Sequence, residues 1–155
     1  MALKGDRYVI ETDVAFHLNE VAERGLVVVY STSGSGVALD QSEALLTVAG
    51  DPSGKVPFGY LLGDMVNKDL TRTHINHHKD EAQLGGKVPV MRKGWLVTNK
   101  YVGSPTAGNI AYLLNSGIVT PTVGPGGGPA QTPVVGRFES KPDEDGYVKV
   151  AVNLP

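Results

Sequence analysis

The sequence predicts a mainly β protein built as a single domain, and three observations carry that expectation. Glycine (20 residues) and proline (10 residues) are abundant while β-branched residues dominate the apolar runs, a composition of short strands joined by turns rather than of helices. Turn residues separate those runs at the short spacing of a barrel or a sandwich. From Tyr147 onward the chain alternates, with Val148, Val150, Val152 and Leu154 on one face and Tyr147, Lys149, Ala151 and Asn153 on the other, the period of a half-buried strand.

Residues 1–20 read as an N-terminal arm or first strand, because Tyr8, Ile10, Thr12, Val14, Phe16 and Leu18 alternate onto one face. "NEVAERG" after it has the composition of one helical turn. "GLVVVYST" is a β-branched run between Gly25 and "SGSG", the signature of a buried strand. "ALLTVAG", "KVPFGYLLG", "KVPVM", "GWLVTNKYV", "NIAYLLNSGIVTPT" and "PVVGRFES" follow as short strands of a domain spanning residues 21–155. Two stretches break the rhythm. Residues 67–86, "NKDLTRTHINHHKDEAQLGG", are polar and lack alternation, so they form a short helical or irregular excursion. Residues 122–133, "TVGPGGGPAQTP", have little to bury and no lysine, which makes them an exposed loop and not a phosphate loop. Residues 141–146 then supply the Pro, Asp and Gly of a hairpin turn, with Phe138 and Val134 giving the preceding strand its apolar face. An internal echo runs through this order. "VYSTSG" followed by "VPFGYL" resembles "AYLLNSG" followed by "PVVGRF", as though a strand, a turn and a Gly-bearing strand were used twice.

A chain of 155 residues supports one real core, burying roughly 70% of its unfolded surface. Fourteen Lys and Arg against 16 Asp and Glu leave a formal charge of −2, and basic residues are nowhere interleaved with aromatics, so nucleic acid is not an expected partner. The absence of cysteine excludes disulfides, thiolate catalysis and Cys-ligated zinc. No run approaches the roughly 20 apolar residues of a membrane span, and the opening "MALKGDRYVIETD" has no signal-peptide core, so a soluble protein without a membrane partner is expected.

Chemistry is sparse. His74, His77 and His78 in "THINHHKDE" would share one helical face, and with Glu81 they define the rival reading, a small metal-dependent β-barrel enzyme. A cupin-like site wants two histidines flanking one residue; here Asn76 stands beside His74 in one frame and His78 in the other, so either frame lacks a ligand. No Ser lies in a Gly-x-Ser-x-Gly elbow, and "SGSG" is a turn composition. Asp143, Glu144 and Asp145 are adjacent acids in a hairpin loop, where such side chains are solvated and lack the burial that acid–base work by paired carboxylates requires. Trp95 is the sole tryptophan, and one aromatic on a strand points to core or interface. An aromatic content of 6% is low for a glycan-binding, host-surface module. No catalytic residue, cofactor or metal is expected.

"TRTHINHHKDEAQLGGKVPVMRKGWLVTN", "GSPTAGNIAYLLNSGIVTPT" and "VVGRFESKPDEDGYVKVAVNLP", in that order and spacing, resemble the capsid decoration or cement proteins of tailed bacteriophage heads. The resemblance covers residues 71–154. It implies a β-barrel or β-tulip module on the outer surface of the virion head, made in the host bacterial cytoplasm. It also implies homo-oligomers, as trimers near local three-fold axes, with the major capsid protein as partner and head stabilisation as function. The contact residues this reading selects, for the capsid or for another subunit, are Tyr8, Ile10, Val14 and Phe16 of the N-terminal segment, His74, Asn76, His77 and His78 of the excursion, and Trp95.

Overall fold

The computed structural model describes residues 3–20, 22–31, 45–48, 50–62, 81–82, 87–123 and 133–155. Its strands are β1 (Leu3–Asp13), β2 (His17–Leu18), β3 (Ala22–Glu23), β4 (Val27–Ser31), β5 (Leu45–Thr47), β6 (Pro57–Leu61), β7 (Glu81–Ala82), β8 (Val90–Thr98), β9 (Ile110–Leu113), β10 (Val119–Thr120), β11 (Val134–Phe138) and β12 (Val148–Asn153). Among the described residues the one helical element is a 3-10 turn at Asn115–Gly117, so the mainly β class holds. Ten strands form one sheet in the order β10-β9-β11-β12-β8-β6-β4-β5-β2, with β1 joined to β8, while β3 and β7 pair separately.

β8 is the hinge of this arrangement. One edge carries β12 along Lys93–Thr98 and then β6 at Val90 and Met91, while β1 runs along the other. On either side of the β8–β12 pair lie two rows of the same kind, β8-β6-β4-β5 and β12-β11-β9-β10. Every neighbour within each row is antiparallel, and the first strand in sequence is flanked by the next two. The echo between "VYSTSG…VPFGYL" and "AYLLNSG…PVVGRF" thus falls on matching pairs, β4 with β6 and β9 with β11. Both Gly-bearing strands carry a bulge, at Phe58 and at Val135. A Cβ on Gly59 would lie 2.3 Å from the Met91 carbonyl oxygen, and one on Gly136 2.0 Å from that of Ala151, so glycine is what lets the next strand approach at both places.

The sheet bends so that both halves cover one core. Val27, Val29 and Tyr60 from one row pack with Leu113, Phe138, Val148, Val150 and Val152 from the other, and with Leu96 of the shared β8. A second core lies on the opposite face of β4 and β6, where Leu18, Val28, Leu46, Phe58, Leu61 and Val90 meet. The Phe58 bulge makes two cores possible from one strand, since it breaks the alternation and sends Phe58 and Tyr60 to different faces. Past β8, the Val102 N–H donates to the Val119 carbonyl (2.9 Å) and the Val119 N–H to that of Lys100 (3.2 Å). The ladder ending at β10 therefore returns to the chain just beyond the strand from which it fanned out.

Several local expectations are corrected. "KVPVM" and "GWLVT" are not two strands, because β8 runs unbroken through Arg92 and Lys93. "NEVAERG" makes no helical turn: Ala22 and Glu23 pair with Ala82 and Glu81, in the part of the excursion that is described. Val134 is 48% exposed and Val135 is buried instead, since the bulge shifts the alternation by one residue. Of the two readings of the N-terminal segment, the first strand is the one found, with Leu3–Asp13 paired along β8 through shifts of register between Leu3 and Arg7 and on either side of Glu11. The hairpin and its alternating face stand as expected. Val148, Val150, Val152 and Leu154 are all buried, and Asp143 builds the turn by accepting the backbone N–H of Asp145 (3.0 Å) and of Tyr147 (2.8 Å).

Tyr60 is a costly tenant of the first core. It is fully buried, its hydroxyl has no hydrogen-bond partner among the described residues, and burial pushes its ionisation far above the ordinary tyrosine range. Removing an unsatisfied buried hydroxyl removes a desolvation cost without removing a bond. Tyr60→Phe is therefore expected to be neutral to stabilising by about 1 kcal/mol in urea unfolding; a loss of that size would reveal a hydroxyl partner and refute the assignment.

Candidate interaction surface

β strands alternate faces, so the registers that bury Val150 and Leu96 turn their neighbours outward together. Followed across the sheet, Ile110 pairs with Arg137, Arg137 with Ala151, Ala151 with Trp95 and Trp95 with Tyr8, one outward row crossing β9, β11, β12, β8 and β1. Trp95 is half-buried in its middle. The Lys149 ammonium sits 4.1 Å from its ring centroid and is held there by Glu139 at 3.1 Å, an arrangement that fixes the indole in a packed, partly desolvated position. At one end, Ile110, Val134, Arg137, Ala151, Asn153 and Leu154 line an open groove of about 440 Å³. At the other, Tyr8 is 60% and Ile10 66% exposed.

β1 brings charge as well as apolar surface to this end. Glu11 pairs with Lys93 at 3.0 Å, and Lys4 reaches the hairpin turn, 2.7 Å from Asp143 and 3.1 Å from Asp145. The hydrogen bond from Lys4, helped by the Tyr147 N–H, holds the Asp143 carboxyl below the usual carboxylate range, and Asp143 and then Asp145 hold the Lys4 ammonium above its ordinary value. All three groups face solvent, so these pairs orient the turn against β1 more than they stabilise the fold.

Of the residues selected from sequence, Tyr8, Ile10 and Trp95 come together on this surface. Val14 lies past the end of β1 and is 53% exposed. Phe16 is elsewhere, packed on the second core with its ring 4.5 Å from that of Phe58 and 6.0 Å from that of Tyr30. His74, Asn76, His77 and His78 lie outside the described residues. Ile110, Val134 and Arg137 were missed; only the pairing register places Ile110 and Arg137 in a row with Trp95, and only the bulge of β11 turns Val134 outward into the groove beside them.

Among the described residues no three His, Cys, Asp or Glu side chains group as a metal site would require, and none of the helical segments is long and apolar enough to cross a membrane. No protein-family model matches the chain, and no curated protein is significantly similar to it.

Proposed function

We propose that this protein is a virion structural protein of the decoration or cement type, which binds the outer surface of a phage head through the major capsid protein and stabilises the expanded shell as a homo-oligomer. The observation that carries the reading is the outward row from Ile110 to Tyr8, a broad sheet face with apolar residues exposed at both ends and a packed tryptophan between them. The ordered resemblance in residues 71–154 supplies the partner. A capsid is a symmetric lattice, so an oligomer engages several subunits at once and gains about 10²–10⁴-fold in avidity from individually weak contacts. Binding the assembled shell and not its free subunits then stabilises the shell by mass action. Such a role asks for a rigid body with an adhesive face and needs no reacting group.

Purified expanded heads mixed with the protein and sedimented should carry it down in a saturable ratio, with unexpanded shells carrying much less. Ile110→Asp combined with Val134→Asp places charge on the exposed end of the row without touching a core side chain, and should weaken that binding about tenfold or more. Absence of co-sedimentation with cognate expanded heads would end the proposal. Stoichiometric zinc, iron or manganese in the purified protein, lost when His74, His77 and His78 are replaced by Ala, would favour the metal-dependent enzyme in its place.

A further inference from the structure

The groove at the Ile110 end of the outward row joins apolar surface to an unpaired cation. Ile110 and Val134 line it beside the one-carbon side chain of Ala151, and Arg137 lines it as well. Among the described residues the Arg137 guanidinium meets no carboxylate, only the Gly108 carbonyl at 3.4 Å, whereas Lys4, Lys93, Lys100 and Lys149 each hold one. Such a groove suits an apolar side chain with a carboxylate next to it, the first for burial and the second for charge complementarity. We propose that the corner formed by Asp13, Val14 and Ala15 of a second copy of this chain occupies the groove, with Val14 against Ile110 and Val134 and the Asp13 carboxylate on Arg137.

The exposed apolar side chains of the described residues single out this corner. Tyr8 follows Arg7 and Val56 follows Lys55, so each would bring a cation toward Arg137. Tyr30, Val102 and Val123 have no acid beside them in sequence. Ile10 precedes Glu11, but Lys93 already holds that carboxylate at 3.0 Å. Val14 is 53% exposed and follows Asp13, whose carboxylate has no cation among the described residues. The corner is also built in advance. One Asp13 oxygen accepts the Ala15 N–H at 2.8 Å and turns the chain out of β1, leaving Val14 and Ala15 exposed before Phe16 returns to the second core. A preformed corner loses little conformational freedom on docking, and the second Asp13 oxygen stays available for Arg137. Every copy carries both halves of the contact, so a closed symmetric oligomer leaves neither uncovered. The inference names a subunit contact for the homo-oligomer of the proposed function and rests on that part of the reading, while head binding is measured separately.

Charge exchange in the full chain tests it. In sedimentation velocity over a concentration series, the parent should exceed the monomer mass, and Arg137→Glu and Asp13→Lys should each weaken self-association about tenfold or more. Asp13→Asn keeps a side-chain oxygen for the Ala15 N–H, so it should weaken association while melting like the parent, which separates the lost charge from a lost turn. The double variant Asp13→Lys/Arg137→Glu restores opposite charges across the contact and should recover the parental mass. Cysteines read the placement, since the chain has none of its own. An equimolar mixture of Val14→Cys and Val134→Cys proteins should oxidise to covalent dimer in preference to either protein alone, because only the mixture sets a corner thiol against a groove thiol. A parent that sediments as a monomer throughout the series would overturn the proposal, as would a double variant that stays dissociated while melting like the parent. In either case co-sedimentation with expanded heads still decides the capsid reading by itself.

Discussion

A Val150→Asp variant is expected to be insoluble or unfolded. Val150 has no exposed surface; it lies opposite Leu96 on β8 and Phe138 on β11, at the centre of the core shared by both halves of the sheet. A carboxylate there has no cation to pair with among the core side chains, which are apolar, so it is either ionised without solvent or protonated at a large free-energy cost. The penalty of several kcal/mol, added to the lost packing of the valine, is comparable to the whole stability of a domain, about 5–15 kcal/mol. Asn153→Asp is the control, since Asn153 is an outward, exposed residue of the same strand and exposed substitutions usually stay within about 0.5 kcal/mol. Circular dichroism and thermal melting of both variants decide the matter; a Val150→Asp protein that melts with the parent would remove β12 from the core.

β12 was legible in the sequence because its alternation is unbroken, and an unbroken period of two is a direct image of one buried and one exposed face. Where the period slips, the sequence misleads. Val134 continues the alternation of Phe138 on paper, yet the bulge at Val135 inserts an unpaired residue and turns Val134 outward. The same device at Phe58 divides a single apolar strand between two cores, which no count of hydrophobic residues in "PFGYL" reveals. "MRKGW" misled in the opposite sense: its charged residues mimic a turn, but Lys93 ion-pairs with Glu11 and the Arg92 guanidinium lies 4.6 Å from the Phe58 ring centroid, so the charges are accommodated along a continuous strand. The interaction surface was half legible for a related reason. Tyr8, Ile10 and Trp95 announce themselves as large apolar residues in polar company, whereas Arg137 and Ile110 acquire meaning only from cross-strand neighbours distant in sequence along the ladder from β9 to β8. The repeated row is the most instructive case, since the faint echo in sequence marks the positions where the fold reuses one geometry: a central strand, two antiparallel neighbours, and a bulged strand whose glycine admits the next.

Gly94→Ala should be the most damaging single methyl that the chain can acquire on β8. Gly94 has φ +133°, a backbone conformation that side chains rarely adopt, and a Cβ built there would sit 2.0 Å from the Tyr8 carbonyl oxygen and 3.1 Å from the Val9 Cα. Neither obstacle is the flexible end of a side chain, so the contact cannot be relieved by a rotamer change and β1 must move off β8. The site is also the crossing point of the sheet, for Gly94 pairs with Val9 on one edge and with Val152 on the other. Displacing β1 withdraws Leu3 and Val9 from the first core and breaks the ladder that covers it. Backbone strain and lost packing together are expected to cost about 3 kcal/mol or more, read as a lower urea midpoint. Amide exchange should accelerate first in residues 3–13, before the β11–β12 hairpin, because the clash acts on β1 alone. Gly5→Ala makes the same chemical change within β1, where nothing lies within 4 Å of the added Cβ, and should shift the midpoint by no more than about 0.5 kcal/mol. If the two variants unfold together, close approach at Gly94 does not hold β1 on the sheet, and the outward row from Ile110 to Tyr8 loses its last strand.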